Sequence, residues 1–322
     1  MVKDMSVVTT SNLKLYPAQA AAAHQQALQM AGGLGITAGE TLRFSPDRQI
    51  VLRAEWEGRE VVLRAPLSAD AVAVMAKEWT ELTRVHTYMS EGPNQVAAPL
   101  YFDEDTGLMV ISFVQGTPLM THLSKLPEKL RAPTYSRAGD WLQTYLAPTL
   151  TTRPANTKRW LKRAKDAIAR QPHEQLHEVE RRVFRQMRLL SKQIGDADWS
   201  VAITHSDFHP NNLILDAGTL TGIDCGGSGM APVAKDLARS LTHMTRRGVM
   251  FGKERRFGVD AAALRALQDT MDLPAQVWTL HLPFMLCFET LFRVEHPQMP
   301  ADRVDHAYRM TRALLRDLRQ IT

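Results

Sequence analysis

Residues 1–16 show no hydrophobic period. Pro17–Met30 is rich in Ala and Gln and is closed by Gly32-Gly33, which predicts a short accessory helix. From Glu40 the period falls to two. Thr41–Phe44, Ile50–Trp56 and Arg59–Arg64 are strand-like runs, divided by Ser45-Pro46-Asp47 and Glu57-Gly58. Consecutive runs joined by tight turns predict an antiparallel sheet. Ser68 and Asp70 then open a helical stretch to about Glu91, with Val72, Met75, Trp79, Leu82 and Val85 at three- and four-residue steps. Ala97–Tyr101 and Leu108–Val114 read as two more strands, turned by Asp105-Thr106-Gly107.

After Gly116 and Pro118 the pattern is mostly helical, over roughly 134–147, 157–171, 174–194, 233–246, 260–271, 275–293 and 302–320. The exception is 200–224. There Val201-Ala202-Ile203 is a short strand, and Asn212–Asp216 with Leu220–Ile223 flank Ala217-Gly218 as a hairpin. The predicted organisation is an extension with a short helix over 1–39, a small antiparallel β-rich lobe over 40–115, and a large helical lobe over 116–322. That is an α+β fold in two lobes.

Composition changes this picture little. The chain has 322 residues, 44% hydrophobic and 23% charged, which is ordinary for a globular protein. Its two cysteines, Cys225 and Cys287, exclude a disulfide framework or a four-cysteine zinc site and fit a reducing, cytoplasmic setting. The most apolar stretch, Val277–Phe288, contains His281 and Pro283 and is too short to span a bilayer, so no transmembrane segment is expected. Charge matters more. The whole chain carries +5, but the stretch from Thr152 to Lys192 holds twelve basic against four acidic residues, a local +8. The commonest reading of such a run is a solvated helix face, but its sign would also suit an anionic partner or a membrane surface and disfavour a polycationic one. No aromatic–basic interleaving or reader motif points to nucleic acid.

The chemistry concentrates in His205-x-Asp207-x-x-x-x-Asn212, followed by Asp224 at the end of the predicted hairpin. Phosphoryl transfer from a nucleotide needs such a set. One carboxylate orients the attacking hydroxyl and accepts its proton, and a carboxylate with an amide oxygen holds Mg²⁺ against the phosphates. Asp207, Asp224 and Asn212 fit those roles in that order.

These residues resemble the catalytic loop of the aminoglycoside phosphotransferase and choline kinase group, within the protein-kinase-like fold. His209-Pro210 inside the loop is typical of that group, and Pro232–Ala238 resembles its P-x-x-D-L-A segment. The resemblance implies a kinase for small-molecule hydroxyls that uses ATP or GTP with Mg²⁺, and in that fold the basic helices of 152–192 would border the acceptor site, which suits an anionic acceptor. Asp236 would brace the loop and His205 would pack behind it. His209 either bonds nearby backbone or faces substrate. On the third strand, Arg64 takes the place of the family's phosphate-holding Lys, with Glu78 as its helix partner. The phosphate-covering turn, Phe44–Gln49, has no glycine, and Ser45 is its candidate donor. Leu108–Gly116 matches the hinge, so the backbones of Ser112 and Val114 would meet the base. Gly226–Gly229 would form a loop over the metal. Arg64 and the Gly-free turn also motivate an alternative, a catalytically impaired kinase-like binding or regulatory module. A third reading keeps the fold and transfers a nucleotidyl group.

Overall fold

The computed structural model describes Leu13, residues 15–226 and residues 229–322. Most of residues 1–16 and the middle of the predicted Gly226–Gly229 loop lie outside the described residues. In chain order the elements begin with α1 (Pro17–Ala31), β1 (Thr37–Ser45), β2 (Gln49–Trp56), β3 (Arg59–Pro66) and α2 (Ala69–His86). Then come β4 (Asn94–Val96), β5 (Pro99–Phe102), β6 (Met109–Ser112), β7 (Thr117–Pro118), α3 (Leu119–Lys125), α4 (Glu128–Leu146) and β8 (Thr151–Pro154). The remainder is α5 (Lys158–Ile168), α6 (Glu174–Ile194), β9 (Asp198–Ile203), β10 (Leu213–Asp216), β11 (Thr219–Gly222), β12 (Met230–Pro232), α7 (Val233–Arg246), α8 (Ala261–Thr270), α9 (Leu282–Phe292) and α10 (Ala301–Leu318). Two short strands, Arg255–Arg256 and Val259–Asp260, pair with each other before α8.

The chain divides into two compact units, residues 1–122 with 213–228, and residues 123–212 with 229–322. The expected boundary at 115/116 thus moves a few residues, and the hairpin placed in the helical lobe belongs with the first unit. The reason is where its hydrogen bonds go. β11 pairs in parallel with β4, and β10 pairs with β7, giving a four-stranded sheet β4-β11-β10-β7. Sequence alone did not show β4 or β7, because strands of three and two residues carry no period.

The first unit's larger sheet is antiparallel, in the order β1-β2-β3-β6-β5. Alternation puts Ile50, Leu52, Val61, Leu63 and Ala65 on a buried face with Leu108 and Val110, and the Ala stripe of α1 covers it. β2 turns into β3 through Glu57 and Gly58, both at positive φ, and β10 turns into β11 through Ala217 and Gly218 in the same way. Two consecutive left-handed residues match the right-handed twist of a hairpin. Gly116 is needed for another reason. A Cβ there would lie 2.5 Å from the Leu215 carbonyl oxygen, so only glycine lets β7 approach β10.

In the second unit, α6 shows how an intensely charged sequence still packs. Leu176, Val179, Val183, Met187, Leu190 and Ile194 form one buried stripe, and most of the arginines take the outside. Glu180 is the exception at 1% exposure. Its Oε1 accepts from Gln171 Nε2 at 3.0 Å, while Oε2 is buried without a hydrogen-bond partner. Burial pushes its carboxyl up to about 7, against the pull of Arg246 and Gln171. The folded state therefore holds this proton more tightly than the unfolded chain does. Stability should fall as pH rises from about 4.5 to about 7, by at most about 3 kcal/mol. Thermal unfolding across that window should show the decline, and Glu180→Gln should flatten it. An unchanged slope in the variant would assign the pH dependence elsewhere.

Candidate active site

The first unit gathers charge behind β3. Arg64 alternates with the core residues Leu63 and Ala65, yet it is itself 5% exposed. A guanidinium so buried needs partners on every side. Its Nε and Nη2 donate to Gln49 Oε1 at 3.2 and 2.9 Å, and Nη2 also donates to Glu78 Oε2 at 2.5 Å. Its Nη1 lies 3.6 Å from Asp224 Oδ1, and Arg43 Nη1 lies 3.4 Å from Asp224 Oδ2. The structure thus brings Arg64, Glu78 and Asp224 together and adds Gln49 and Arg43. Asp224 sits at φ 56°, just past β11. Gly226 follows closely, and a Cβ there would come within 2.1 Å of the Glu78 side chain. The chain can pass Glu78 only as glycine.

The Gly-free turn between β1 and β2 is closed by Arg48 N donating to the Ser45 carbonyl at 3.1 Å, with Asp47 at φ 57°. Ser68 Oγ donates to the Asp47 carbonyl at 2.9 Å, which ties the turn to the start of α2. Between turn and helix lies a cavity of about 410 Å³ lined by Arg48, Gln49, Ser68 and Glu78 among others. Ser45 is not among its lining residues. Ser112 differs from expectation in its bonding. Its N–H donates to the Ala98 carbonyl at 2.9 Å, and its hydroxyl accepts from Ala98 N at 2.8 Å. Both groups are taken up by the Ala98 backbone, so the Ser112 N–H is not available to a base. Val114 lies in the irregular stretch after β6.

The second unit holds the loop between β9 and β10. Its backbone is bent at Ser206, which has φ 70°. A non-glycine residue holds that conformation only if its surroundings over-determine it. Here Asp236, fully buried in the first turn of α7, does so. Its two carboxylate oxygens accept from His205 N at 2.8 Å and Ser206 N at 3.0 Å, and Lys235 Nζ donates to the Ser206 carbonyl at 2.8 Å. Burial raises the Asp236 carboxyl above its ordinary value, with Lys235 and His205 opposing. The His205 ring packs fully buried against Trp141, Tyr145 and Phe208. Its two ring nitrogens have no hydrogen-bond partner among the described residues, so it supports the loop by packing and through its backbone N–H.

This bracing presents Asp207, whose side chain is about half exposed. Arg239 Nε donates to its Oδ1 at 2.7 Å, Arg293 Nη2 lies 3.4 Å from the same oxygen, and His209 Nε2 lies 3.4 Å from Oδ2. Burial acts to raise the carboxyl, but the hydrogen bond from His209 and the Arg239 guanidinium outweigh it and hold Asp207 far below the usual carboxylate range. His209 is kept below its ordinary value, mainly by burial, and stacks on His243 with ring centroids 3.8 Å apart. Asn212 Nδ2 donates to the Asp207 carbonyl at 3.0 Å, which fixes its amide and turns the oxygen the other way.

Arg239 and Arg293 were not among the residues the sequence singled out. Arg239 had a signal, since it stands three residues after Asp236 and shares its helix face. Arg293, at the exit of α9, had none. None of the twelve basic residues between 152 and 192 contacts Asp207 among the described residues. Several line a separate groove of about 520 Å³, where Arg182, Arg185, Arg188 and Lys192 face Arg319 of the C-terminal segment. No cluster of three or more His, Cys, Asp or Glu side chains could hold a metal ion among the described residues. No helix among them is long and apolar enough to cross a membrane.

Comparison with known proteins gives the same fold. The chain is similar to a choline/ethanolamine kinase family protein from Mesorhizobium loti, at 16% identity over 92% of this chain and 99% of that one, with a TM-score of 0.58. It is similar to the amicoumacin kinase hAmiN solved with AMP-PNP, Ca²⁺ and Ami, at 14% identity over 92% and 97% of the two chains, with a TM-score of 0.56. A thermostable mutant of aminoglycoside phosphotransferase APH(4)-Ia, solved with ADP and hygromycin B, is 13% identical over 90% of this chain and 97% of that one, with a TM-score of 0.56. At such identities the likeness shows the fold, a protein-kinase-like one, and nothing finer. No curated protein matches the chain. The model of the phosphotransferase enzyme family, APH, matches residues 47–275, well over half of the 322, and the chain therefore belongs to that family.

Proposed function

We propose that the chain transfers the terminal phosphoryl group of Mg²⁺-bound ATP or GTP to a hydroxyl of a small, anionic acceptor. The observation that carries this reading is the Asp207 carboxylate, half exposed on a loop that Asp236 and Asn212 hold in place. Asp207 orients the acceptor hydroxyl and takes its proton. Its low proton affinity makes it a weak base. That suits a loose phosphoryl transition state, in which positioning and charge stabilisation matter more than early deprotonation.

The Asp224 carboxylate and the Asn212 amide oxygen are hard oxygen donors of the kind Mg²⁺ takes. The metal, when bound, neutralises charge on the nucleotide phosphates. Arg64 and Arg43 are ion-paired to Asp224 at 3.6 and 3.4 Å, and Arg64 offers a rigid fork that can meet phosphate oxygens in place of an ammonium. Glu78 orients that fork.

The test is a transfer assay. With Mg-ATP or Mg-GTP and pooled hydroxyl compounds, mass spectrometry should find an acceptor heavier by about 80 Da, one phosphoryl group. A nucleotidyl adduct would replace the reading with nucleotidyl transfer. Neither product nor any Mg-nucleotide stabilisation would leave a kinase-like binding module.

A further inference from the structure

The cations in the second unit outnumber their partners around Asp207. Arg239 is committed to Asp207 at 2.7 Å. Arg293 is shared loosely between Asp207 at 3.4 Å and Glu289 at 3.3 Å. Arg246 is neutralised by Glu295 at 3.0 Å. Arg247 and Arg303 have no carboxylate within ion-pair distance among the described residues. Arg247 donates to the His243 carbonyl at 3.2 Å, and Arg303 Nε is buried without a hydrogen-bond partner among the described residues.

These arginines belong to one cluster. His209, in contact with Asp207, stacks on His243, and burial, with the nearby positive charges of Arg247, Arg239 and Arg303, holds the His243 ring well below its ordinary value. Burial, then the neighbouring Arg303 and Arg239, pulls the Arg247 guanidinium down to about 9. The Nδ1 atom of His243, whose Nε2 faces the Asn211 amide nitrogen at 3.1 Å, is likewise buried without a partner among the described residues. Partly buried cations that repel one another, beside orphaned donors, are unfavourable unless an anion joins them.

We infer that Arg247, Arg293 and Arg303 form a subsite for an anionic group of the acceptor, a carboxylate or a phosphate ester, held beside Asp207 while its hydroxyl is phosphorylated. This rests on the reading of Asp207 as the residue that meets the acceptor hydroxyl. It places the acceptor's charge at the exits of α7 and α9 and on α10, not on the basic run of α5 and α6. A guanidinium fork accepts either anion bidentately, and it would exclude a polycationic acceptor.

The probe is inorganic phosphate, titrated against chloride at equal ionic strength while thermal unfolding is followed. The wild-type protein should be stabilised at millimolar phosphate, and the double variant Arg247→Gln, Arg303→Gln should bind it roughly ten- to a hundred-fold more weakly, the loss of charge-assisted hydrogen bonds. Equal responses in the two proteins, or no wild-type response, would overturn the subsite. A second measurement needs no variant. In the transfer assay, hydroxyl compounds bearing carboxylate or phosphate should be taken in preference to neutral or cationic ones of similar size. Preferred transfer to a cationic compound would overturn the subsite while sustaining the kinase reading. Absence of both Mg-nucleotide stabilisation and transfer would instead overturn the kinase reading, so the two failures are distinguishable.

Discussion

Replacing Asp207 by Asn will lower phosphoryl transfer by roughly a hundred- to ten-thousand-fold, the range set by losing a positioned acid–base group. Asn is the variant to use because of what surrounds the carboxylate. Arg239 is 9% exposed and donates through Nε to Oδ1. An Asn oxygen can still accept that bond, whereas Ala would leave the donor buried and unpaired at a cost of about 1–3 kcal/mol. The Asn212 bond to the Asp207 backbone is untouched by either change. The Asn variant should therefore keep its loop and its stabilisation by Mg-nucleotide while losing turnover. Single-turnover assays with saturating nucleotide would separate the two. Transfer within a few-fold of wild type would remove Asp207 from the chemistry.

The elements and motifs differed in how readable they were. Two amphipathic helices were legible to the residue, whereas the one expected from 134 starts at Glu128. The patterns over 174–194 and 233–246 match α6 and α7, because an apolar stripe at a period of 3.6 must be buried somewhere. The meander β1-β2-β3 was legible for the same reason at a period of two. The hairpin β10-β11 was legible too, but its membership of the first unit was not, since that depends on pairing with β4 more than a hundred residues away. At the site, the spacing of Asp207, Asn212 and Asp224 and the pairing of Arg64 with Glu78 could be expected from sequence. The second arginine at Asp207, Arg293, could not, nor could Arg247 and Arg303 near His243, unpaired among the described residues. Arg247, Arg293 and Arg303 are scattered over a helix exit, a loop and a C-terminal helix, and surface and buried arginines look alike in a sequence. The dense basic run from 152 to 192 stands out in the sequence because it is contiguous, yet charge contiguous in sequence favours an exposed helix face.

Asp236→Ala should be the most damaging single change away from the reacting atoms. Two effects oppose each other. Removing a buried carboxylate relieves the desolvation that raises its proton affinity, which returns some stability. Against this, the backbone N–H groups of His205 and Ser206 lose their acceptor in a site without water access, at about 1–3 kcal/mol each. Ser206 also loses the restraint on its left-handed backbone and can relax toward φ below zero, carrying Asp207 with it. The second effect wins, because two donors and a strained residue depend on one acceptor. A net destabilisation of about 2–4 kcal/mol is expected. Transfer should fall at least a hundred-fold even at temperatures where the variant is folded, since a displacement of about 1 Å at a positioning residue is enough. Asp236→Asn should restore little, because its amide can accept only one of the two bonds and would turn a donor toward the other N–H. Circular dichroism with transfer assays at low temperature checks this. A folded, stable Asp236→Ala variant with near wild-type turnover would show that the loop holds itself.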